Sequence, residues 1–198
     1  MFILGLTGSV AMGKSTTARF FAEEGVPVHD ADAVVHHLYA GEAVPLIEAA
    51  FPGTTAGGKV DRMKLGARVM GDLPALRQLE GIIHPLVHEA ERNFLADAEA
   101  GGTPVVILDI PLLYETGGEG RVDAVVVASA TPELQRARML ERPGMTAERL
   151  NTILSLQMPD EEKRRRADFV VDTSQGFDAA REQVREILRR VATMPTRR

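Results

Sequence analysis

The feature that most constrains this chain is a glycine-containing stretch at residues 8–15, which reads GSVAMGKS. The stretch fits the pattern G-x-x-x-x-G-K-[ST], in which a backbone loop binds phosphate. An apolar run at residues 2–4 precedes it, and a helical pattern of apolar residues follows it as far as Gly25. Because strand, loop and helix must follow one another in this order, the surroundings support the pattern. The sequence therefore predicts a phosphate-binding loop.

The fixed positions of this loop each have a physical role. Gly8 and Gly13 leave no side chain where the backbone must approach a phosphate, so successive N–H groups can point at it. A helix that begins near Gly13 adds the partial positive charge of its N-terminus. We expect Lys14 to reach the terminal phosphates and Ser15 to place its hydroxyl on Mg²⁺. The loop predicts a nucleotide-binding protein, and by itself it does not distinguish a kinase from a switch or a motor.

Composition narrows the class of protein further. The 198 residues suggest one domain with room for an inserted subdomain. A net charge of −5 argues against a general binder of nucleic acid or anionic membranes. The chain has no Cys, which excludes disulfides and Cys-based metal sites. Since no apolar run approaches about 18 residues, we expect no membrane span and a cytoplasmic protein.

Alternation of apolar strands with helices predicts an α/β fold with a parallel sheet. The predicted strands are residues 2–4, 26–28, 105–109, 122–128 and 169–172. Residues 36–100 contain helices and loops but no convincing strand, so we interpret them as an insertion that carries part of the substrate site. One helix is expected at residues 73–83, and Pro85 is expected in the first turn of another that ends near residue 100. The expected helix caps are Asp61, Thr131, Thr146 and Asp178.

Polar residues at the carboxyl ends of the strands are the candidates for chemistry, because ligands bind there in open parallel sheets. Asp30 and Asp32 follow the second strand, where a carboxylate can accept a proton from an attacking hydroxyl or orient it. Either residue can instead cap the next helix. The interpretation that we favour gives one of the pair a catalytic role, with Asp30 free to cap and Asp32 to act. Asp109 ends a buried strand, where it either contacts Mg²⁺ or bonds to backbone, and the sequence leaves both open.

Three arginines recur at roughly helical spacing before a Pro-Gly break. A kinase needs cations over the transferring phosphoryl group and a lid that excludes water. We interpret Arg138 and Arg142 as lid residues of this kind and Arg136 as a solvated side chain. The basic run at residues 163–166 is interpreted as solvated too, with a role in holding an anionic substrate as the alternative.

Six segments of the chain carry a more specific signal. They are LTGSVAMGKST at residues 6–16, VHDAD at 28–32, HPLV at 84–87, PLLYE at 111–115, RARMLERPGMT at 136–146 and QMPDEEKRRRADFVVDTS at 157–174. The first is shared by phosphate-loop proteins in general, whereas HPLV, PLLYE and the last segment are specific in combination. Over nearly its whole length the chain resembles the dephospho-coenzyme A kinase family, in which these segments occur in the same order.

This resemblance implies a reaction and an architecture. The reaction is transfer of the ATP γ-phosphate to the ribose 3′-hydroxyl of dephospho-CoA, with Mg²⁺, to give CoA. The architecture is a three-layer P-loop kinase fold with a five-stranded parallel sheet, a lid at about 138–160 and a helical substrate-binding insertion. The nucleotide-binding core would comprise residues 1–35 and 101–198, and the insertion residues 36–100. A monomer or small homo-oligomer without nucleic-acid or membrane partners is expected.

The resemblance also implies roles for individual residues. Asp32 would be the base, and Lys14, Arg138 and Arg142 would act on the phosphates. The implied ATP contacts are Gly8, Val10, Ala11, Met12, Gly13, Lys14, Ser15, Thr16, Arg138, Asp172 and Thr173. The implied acceptor contacts are Asp32, Arg62, His84 and Leu113, and the implied metal contact is Ser15, with Asp109 as a second candidate.

The loop and the region after Asp32 depart from the family pattern. Ala11 and Met12 stand where Gly and Ser are usual, but the glycines that the general motif needs remain, so we expect ATP binding. His36 stands four residues after Asp32, where the family often has Arg. The candidates to compensate for that change are His37 and Arg62.

Two other functions are compatible with a phosphate loop. One is another small-molecule kinase, for a nucleoside monophosphate or a sugar acid, which the HPLV and PLLYE segments argue against. The other is a nucleotide-dependent switch protein of the GTPase type. Such proteins usually select guanine through an N-K-x-D segment, which this chain lacks.

Overall fold

A five-stranded parallel sheet forms the centre of the fold, as seen in a computed structural model that describes residues 1–197. The strands of the chain are β1 (Phe2–Thr7), β2 (Val28–Asp30), β3 (Thr55–Ala56), β4 (Lys59–Val60), β5 (Val105–Asp109), β6 (Ala124–Ser129) and β7 (Phe169–Asp172). The sheet has the order β2-β5-β1-β6-β7. Every residue of β1, β5 and β6 is buried, as expected for strands covered by helices on both faces. The predicted α/β class and parallel sheet are confirmed.

Helices separate most strands of the five-stranded sheet along the chain. They are α1 (Lys14–Glu23), α2 (Ala31–Leu38), α3 (Ala43–Ala50), α4 (Arg62–Val69), α5 (Leu73–Ala100), α6 (Pro132–Leu140), α7 (Ala147–Ser155), α8 (Asp160–Arg166) and α9 (Phe177–Val191). The side chains of Asp61, Thr131 and Thr146 accept hydrogen bonds from the first turns of α4, α6 and α7, so these three predicted caps are confirmed. The fourth is wrong, because Gly176 precedes α9 and Asp178 lies within its first turn.

The chain divides into two compact units. The first comprises Met1–His29 and the chain from Ala98 onward, and the second comprises Asp30–Asp97. In the first unit, the α1 residues Phe20 and Phe21 share a buried core with β1 and with the apolar face of α9. This core fixes the position of α1 and therefore of the loop that precedes it. The role of the second unit in substrate binding stays a prediction.

The second unit contains a short hairpin that the sequence interpretation did not include. Strands β3 and β4 pair antiparallel, with Thr55 opposite Val60 and Ala56 opposite Lys59. The two residues between them, Gly57 and Gly58, have φ values of 57° and 74°. Positive φ at both positions is the requirement of the tight turn that suits a two-residue hairpin. The segment had the composition of a loop, and the Gly-Gly pair was the available signal for a hairpin.

A single helix replaces the two that were expected at residues 73–83 and beyond Pro85. Helix α5 runs through Pro85 without a break. Proline lacks the N–H that would bond to Gly81 four residues earlier, which disfavours this position. Packing outweighs that cost, because apolar residues on both sides of Pro85 contact one core in the second unit. They are Leu79, Ile82, Ile83, Leu86 and Val87.

No helix within residues 1–197 is both long enough and apolar enough to cross a membrane.

Candidate active site

The loop between β1 and α1 has the backbone geometry of an anion-binding nest. Gly13 is the N-cap residue of α1 and has a left-handed backbone with φ 93°. No side chain caps the N-terminus of this helix. Ala11 is also left-handed, with φ 59°, and is the one residue other than glycine with positive φ within residues 1–197. Since no side chain covers the first turn of α1, its N–H groups remain available to an anion.

Both glycines of the motif are required because neighbouring atoms occupy the space that a side chain would need. A Cβ on Gly8 would lie 2.6 Å from the carbonyl oxygen of Ala128, at the end of β6. A Cβ on Gly13 would lie 2.8 Å from the Thr173 side chain and would also meet a left-handed backbone. The loop therefore fits against β6 and against the turn after β7 only without these side chains.

Side-chain donors hold three consecutive loop carbonyls. The bonds run from Gln135 Nε2 to Val10 O (2.8 Å), from Arg138 Nη1 to Ala11 O (3.3 Å) and from Thr173 Oγ1 to Met12 O (2.9 Å). A nest that directs N–H groups inward must direct carbonyl groups outward, and these outward groups need partners. The donors lie on α6 and in the turn after β7, so both elements fix the shape of the loop.

Lys14, at the end of the loop, forms an ion pair with Asp109. Their Nζ and Oδ1 atoms lie 2.6 Å apart, and the carboxylate is almost completely buried. Asp109 ends β5, next to β1, so the sheet brings together two residues that are far apart in the chain. A buried carboxylate requires such a partner, and the ammonium is held near the loop where a terminal phosphate would lie.

Ser15 and Thr16 occupy the first turn of α1, directly after Lys14. Ser15 is exposed and Thr16 is half-buried. Within residues 1–197 no three His, Asp or Glu side chains cluster as a metal site. Asp109, the second predicted metal contact, is engaged by Lys14.

The predicted lid arginines occupy different environments. Arg138 is half-buried and bridges the loop to the turn after β7, with its Nη1 atom 3.0 Å from Thr173 Oγ1 and its Nη2 atom 3.0 Å from Thr173 O. Arg142 lies just beyond α6 and is exposed, as is Arg136. Arg138 is thus part of the loop's support, whereas Arg142 projects toward solvent.

A cavity of about 660 Å³ borders the loop. Ser9 and Met12 line it from the loop, and Asp172 and Ser174 line it from the turn after β7. The Ser174 hydroxyl and N–H bond to Asp172 Oδ1 and hold the pKa of Asp172 below its ordinary value. The buried hydroxyl of Ser9 has no hydrogen-bond partner among residues 1–197, so it is a polar group in the cavity wall that these residues leave unpaired.

In the second unit, Asp30 and Asp32 have different local environments. The Asp30 carboxylate accepts a hydrogen bond from Ala33 N at 3.0 Å and is the N-cap of α2. Asp32 lies in the first turn of the same helix with its side chain exposed. Capping therefore occupies Asp30, and Asp32 is left accessible to a ligand.

The remaining acceptor candidates of the second unit are exposed. Arg62 donates to His36, with Nη1 and Nε2 2.7 Å apart, and its guanidinium lies 5.9 Å from the centre of the Tyr39 ring. The pKa of Tyr39 is raised because burial outweighs the effect of Arg62. His84 is exposed on α5, with its ring 6.5 Å from that of His88.

Burial bears on the interpretation of two residues of the first unit, and for Lys163 that interpretation is wrong. Leu113 was a candidate acceptor contact, and its side chain is completely buried beside Gly5, so its contact with the acceptor stays a prediction. Lys163 was assigned to a solvated basic run, but it is completely buried and pairs with Glu115 at 2.8 Å. A buried ammonium requires a carboxylate partner, and the sequence did not reveal that pairing.

Sequence reasoning missed two glutamines at the loop. Gln135 donates to Val10 O, and Gln157 Oε1 accepts from Val10 N at 3.1 Å. Gln135 precedes Arg138 by three residues on α6 and so shares a helix face with it, which was a usable signal. Gln157 opens one of the family-specific segments, yet its residue type alone suggests no chemistry.

A phosphate loop after the first strand of a five-stranded parallel sheet, with Lys14 and Arg138 bonded beside it, is the architecture that P-loop kinases share. Residues 2–179 match the family model described as dephospho-CoA kinase, and the chain belongs to that family.

Individual proteins show the same similarity. A Rhodopseudomonas palustris protein named dephospho-CoA kinase is 63% identical over 198 residues, which cover 100% of both chains. A crystal structure from Thermus thermophilus superposes with a TM-score of 0.84 at 33% identity over 98% of each chain. The dephospho-CoA kinase from Campylobacter jejuni has a TM-score of 0.68 at 22% identity over 96% of each chain, which is a likeness of fold.

Proposed function

We propose that the protein is a dephospho-CoA kinase, which transfers the γ-phosphoryl group of ATP to the ribose 3′-hydroxyl of dephospho-CoA and releases CoA and ADP. The observation that carries the proposal is similarity over the entire chain to a relative with that name, at 63% identity. The geometry of the phosphate loop supports the nucleotide half of the reaction independently of this similarity.

The loop is proposed to bind the triphosphate of ATP. The N–H groups at the start of α1, including those of Ser15 and Thr16, lack a side-chain cap and suit a phosphate. The carbonyl groups of Val10, Ala11 and Met12 are already bonded to side chains, so the loop is held in shape before ATP arrives. Preorganised donors need little rearrangement during the reaction, which makes them effective in catalysis.

Lys14 and the lid arginines are proposed to balance the charge of the phosphates. Lys14 would exchange part of its pairing with Asp109 for a terminal phosphate, because the two anions compete for one ammonium. Arg138 would contact the phosphates from its place beside Ala11, and exposed Arg142 would join when the lid closes. The nucleoside is proposed to lie near Asp172 and Thr173, as the family pattern implies.

The described residues fit a magnesium ion bound mainly through phosphates. Mg²⁺ typically keeps several waters and takes only one or two protein oxygens beside the phosphates. The exposed Ser15 hydroxyl would supply one such oxygen, and Asp109, which pairs with Lys14, is the second candidate. When bound, the ion would neutralise charge that develops on the β- and γ-phosphate oxygens.

The second unit is proposed to bind the acceptor. Asp32 would take the proton of the 3′-hydroxyl while that oxygen bonds to the γ-phosphorus and the bond to the β–γ bridging oxygen breaks. Its exposed position at the start of α2 supports this role, since Asp30 is used as the cap. Arg62 and His84 are proposed to contact the acceptor, whose phosphates suit the guanidinium.

The test is an acceptor screen with purified protein, ATP and Mg²⁺, in which ADP release is measured. We expect turnover with dephospho-CoA and little with nucleoside monophosphates or gluconate. Turnover with one of the latter would favour another small-molecule kinase, and GTP hydrolysis without an acceptor would favour a switch protein.

Neighbouring carboxylates provide a matched pair of variants for the base. Asp32→Asn should lower kcat by roughly 10²-fold or more, the usual scale for a positioned base, while ATP binding is retained. Asp30→Asn should keep activity, because Asn caps a helix about as well as Asp. Equal activity of the two variants would remove Asp32 from the mechanism.

A further inference from the structure

Two segments that characterise the sequence, residues 111–115 and 157–166, supply no residue to the proposed phosphoryl transfer. The structure brings their ends together beside the phosphate loop. Gln157 Oε1 accepts from Val10 N at 3.1 Å, and on the other side of the same residue Gln135 Nε2 donates to Val10 O at 2.8 Å. Two glutamines from different elements therefore hold the backbone of one loop residue.

Gln157 is itself fixed in place by a buried ion pair. The next residue in the chain, Met158, donates its N–H to Glu115 Oε1 at 2.9 Å. The same oxygen lies 2.8 Å from Lys163 Nζ, and Lys163 is completely buried. Burial opposes ionisation of Glu115, but the bonds from Lys163 and Met158 outweigh it, and the pKa of Glu115 is lowered. The carboxylate is thus kept charged, and it holds the segment that carries Gln157.

The residue after Val10 explains why such support matters. Ala11 is left-handed, at φ 59°, which is unfavourable for any residue with a Cβ. A strained backbone persists only where its surroundings over-determine it. Gln157 and Gln135 restrain the residue on one side of the strained position, and Thr173 restrains Met12 on the other. Release of Val10 would let the loop relax away from this conformation.

We propose that Gln157 is a positioning residue for phosphoryl transfer, which holds Val10 in the phosphate-binding conformation of the loop and is itself held by the Glu115–Lys163 pair. The kinetic part of this inference rests on the proposed function. Gln157 acts through the backbone of Val10, because its side-chain oxygen accepts a hydrogen bond from the Val10 N–H. This N–H is therefore not available to bind phosphate.

The principal variant is Gln157→Met, which keeps the length of the side chain and removes the acceptor. With dephospho-CoA and ATP, kcat should fall by about tenfold or more while KM for ATP changes by less than about threefold. This split between the two constants is expected because Gln157 does not itself contact ATP, and the alignment of the loop that it maintains stabilises the charge that develops in the transition state. Gln78→Met is the matched control, because Gln78 is exposed on α5, and its kinetics should equal those of the unchanged protein.

A second readout does not depend on activity. The Val10 amide should exchange with solvent hydrogen at least about tenfold faster in Gln157→Met than in the unchanged protein, because its acceptor is gone. Glu115→Gln should produce a smaller increase, since it weakens the anchor but leaves Gln157 present. This measurement distinguishes the two proposals: a protein inactive with dephospho-CoA that still shows these exchange changes refutes the function and keeps the positioning role.

A second substitution tests whether the loss of kcat in Gln157→Met is caused by strain in the loop. Ala11→Gly removes the penalty for a left-handed backbone, so in the Gln157→Met background it should restore part of the lost kcat. Unchanged exchange at Val10 in Gln157→Met would overturn the proposal. So would a loss of kcat that Ala11→Gly leaves fully in place, or a loss explained by unfolding in circular dichroism at the assay temperature.

Discussion

At the residue scale, Ala11 has a left-handed backbone conformation that its own side chain disfavours. Its φ of 59° is favourable for glycine, which the family usually has there. The left-handed conformation costs a residue with a Cβ about 1–2 kcal/mol. Hydrogen bonds to the carbonyls on both sides, from Gln135 and Thr173, hold the conformation against that cost. The loop is therefore strained at one residue and strongly supported around it.

Ala11→Gly should raise the free energy of unfolding by about 0.5–1 kcal/mol. Relief of the left-handed penalty exceeds the cost of the extra freedom that glycine has in the unfolded chain, about 0.4–1 kcal/mol. Urea unfolding followed by circular dichroism measures the change. Ala96→Gly, at an exposed position within α5, is the control and should instead destabilise by about 1 kcal/mol. Destabilisation by both variants would show that Ala11 is unstrained in solution.

At the element scale, α5 shows tertiary packing overriding a local signal. Pro85 has neither an N–H to donate nor room for the carbonyl of Gly81, yet the helix continues for the 28 residues of Leu73–Ala100. Leu79 and Ile83 before the proline and Leu86 after it contact the same core. Burial of these side chains is worth more than the lost hydrogen bond.

Pro85→Ala should stabilise α5 by about 1–3 kcal/mol, because alanine restores the missing hydrogen bond and removes the ring. Pro85 is exposed, so the change leaves the core intact. Pro74→Ala is the matched control, since Pro74 lies in the first turn of the same helix, where proline is well tolerated. Hydrogen exchange of the α5 amides measures both variants. An equal effect of the two would mean that the helix is interrupted at Pro85.

The elements also show what local sequence can specify. Continuous apolar runs predicted the buried strands, and the phosphate-loop motif predicted its own flanks, because both signals are local. Hairpin β3–β4 has only two residues in each strand and no alternation of apolar residues. Gly57 and Gly58 were therefore the sequence signal that could have predicted it. Lys163 was misassigned because its burial depends on Glu115, which is distant in the chain. At the site, the loop residues were predictable, whereas Gln135 and Gln157 depend on the tertiary fold.

At the scale of the whole molecule, the proposed roles are divided between the two units. The phosphate loop, Lys14, Arg138 and Thr173 all belong to the unit that contains the sheet, whereas Asp32 and Arg62 belong to the other. The hydrogen bonds that shape the loop come from within its own unit. Nucleotide binding should therefore be separable by mutation from the chemistry on the acceptor.

ATP should stabilise the protein in a manner that depends on Lys14 and not on Asp32. A ligand that binds only the folded state adds about 2.7 kcal/mol at a concentration 100 times its Kd, which raises Tm. Thermal unfolding across a range of ATP concentrations, with Mg²⁺ and without acceptor, measures this effect. Lys14→Met should lose most of the rise in Tm because the ammonium no longer offsets the charge of the phosphates. Asp32→Asn should keep the full rise, and loss of it there would mean that Asp32 serves nucleotide binding rather than the acceptor.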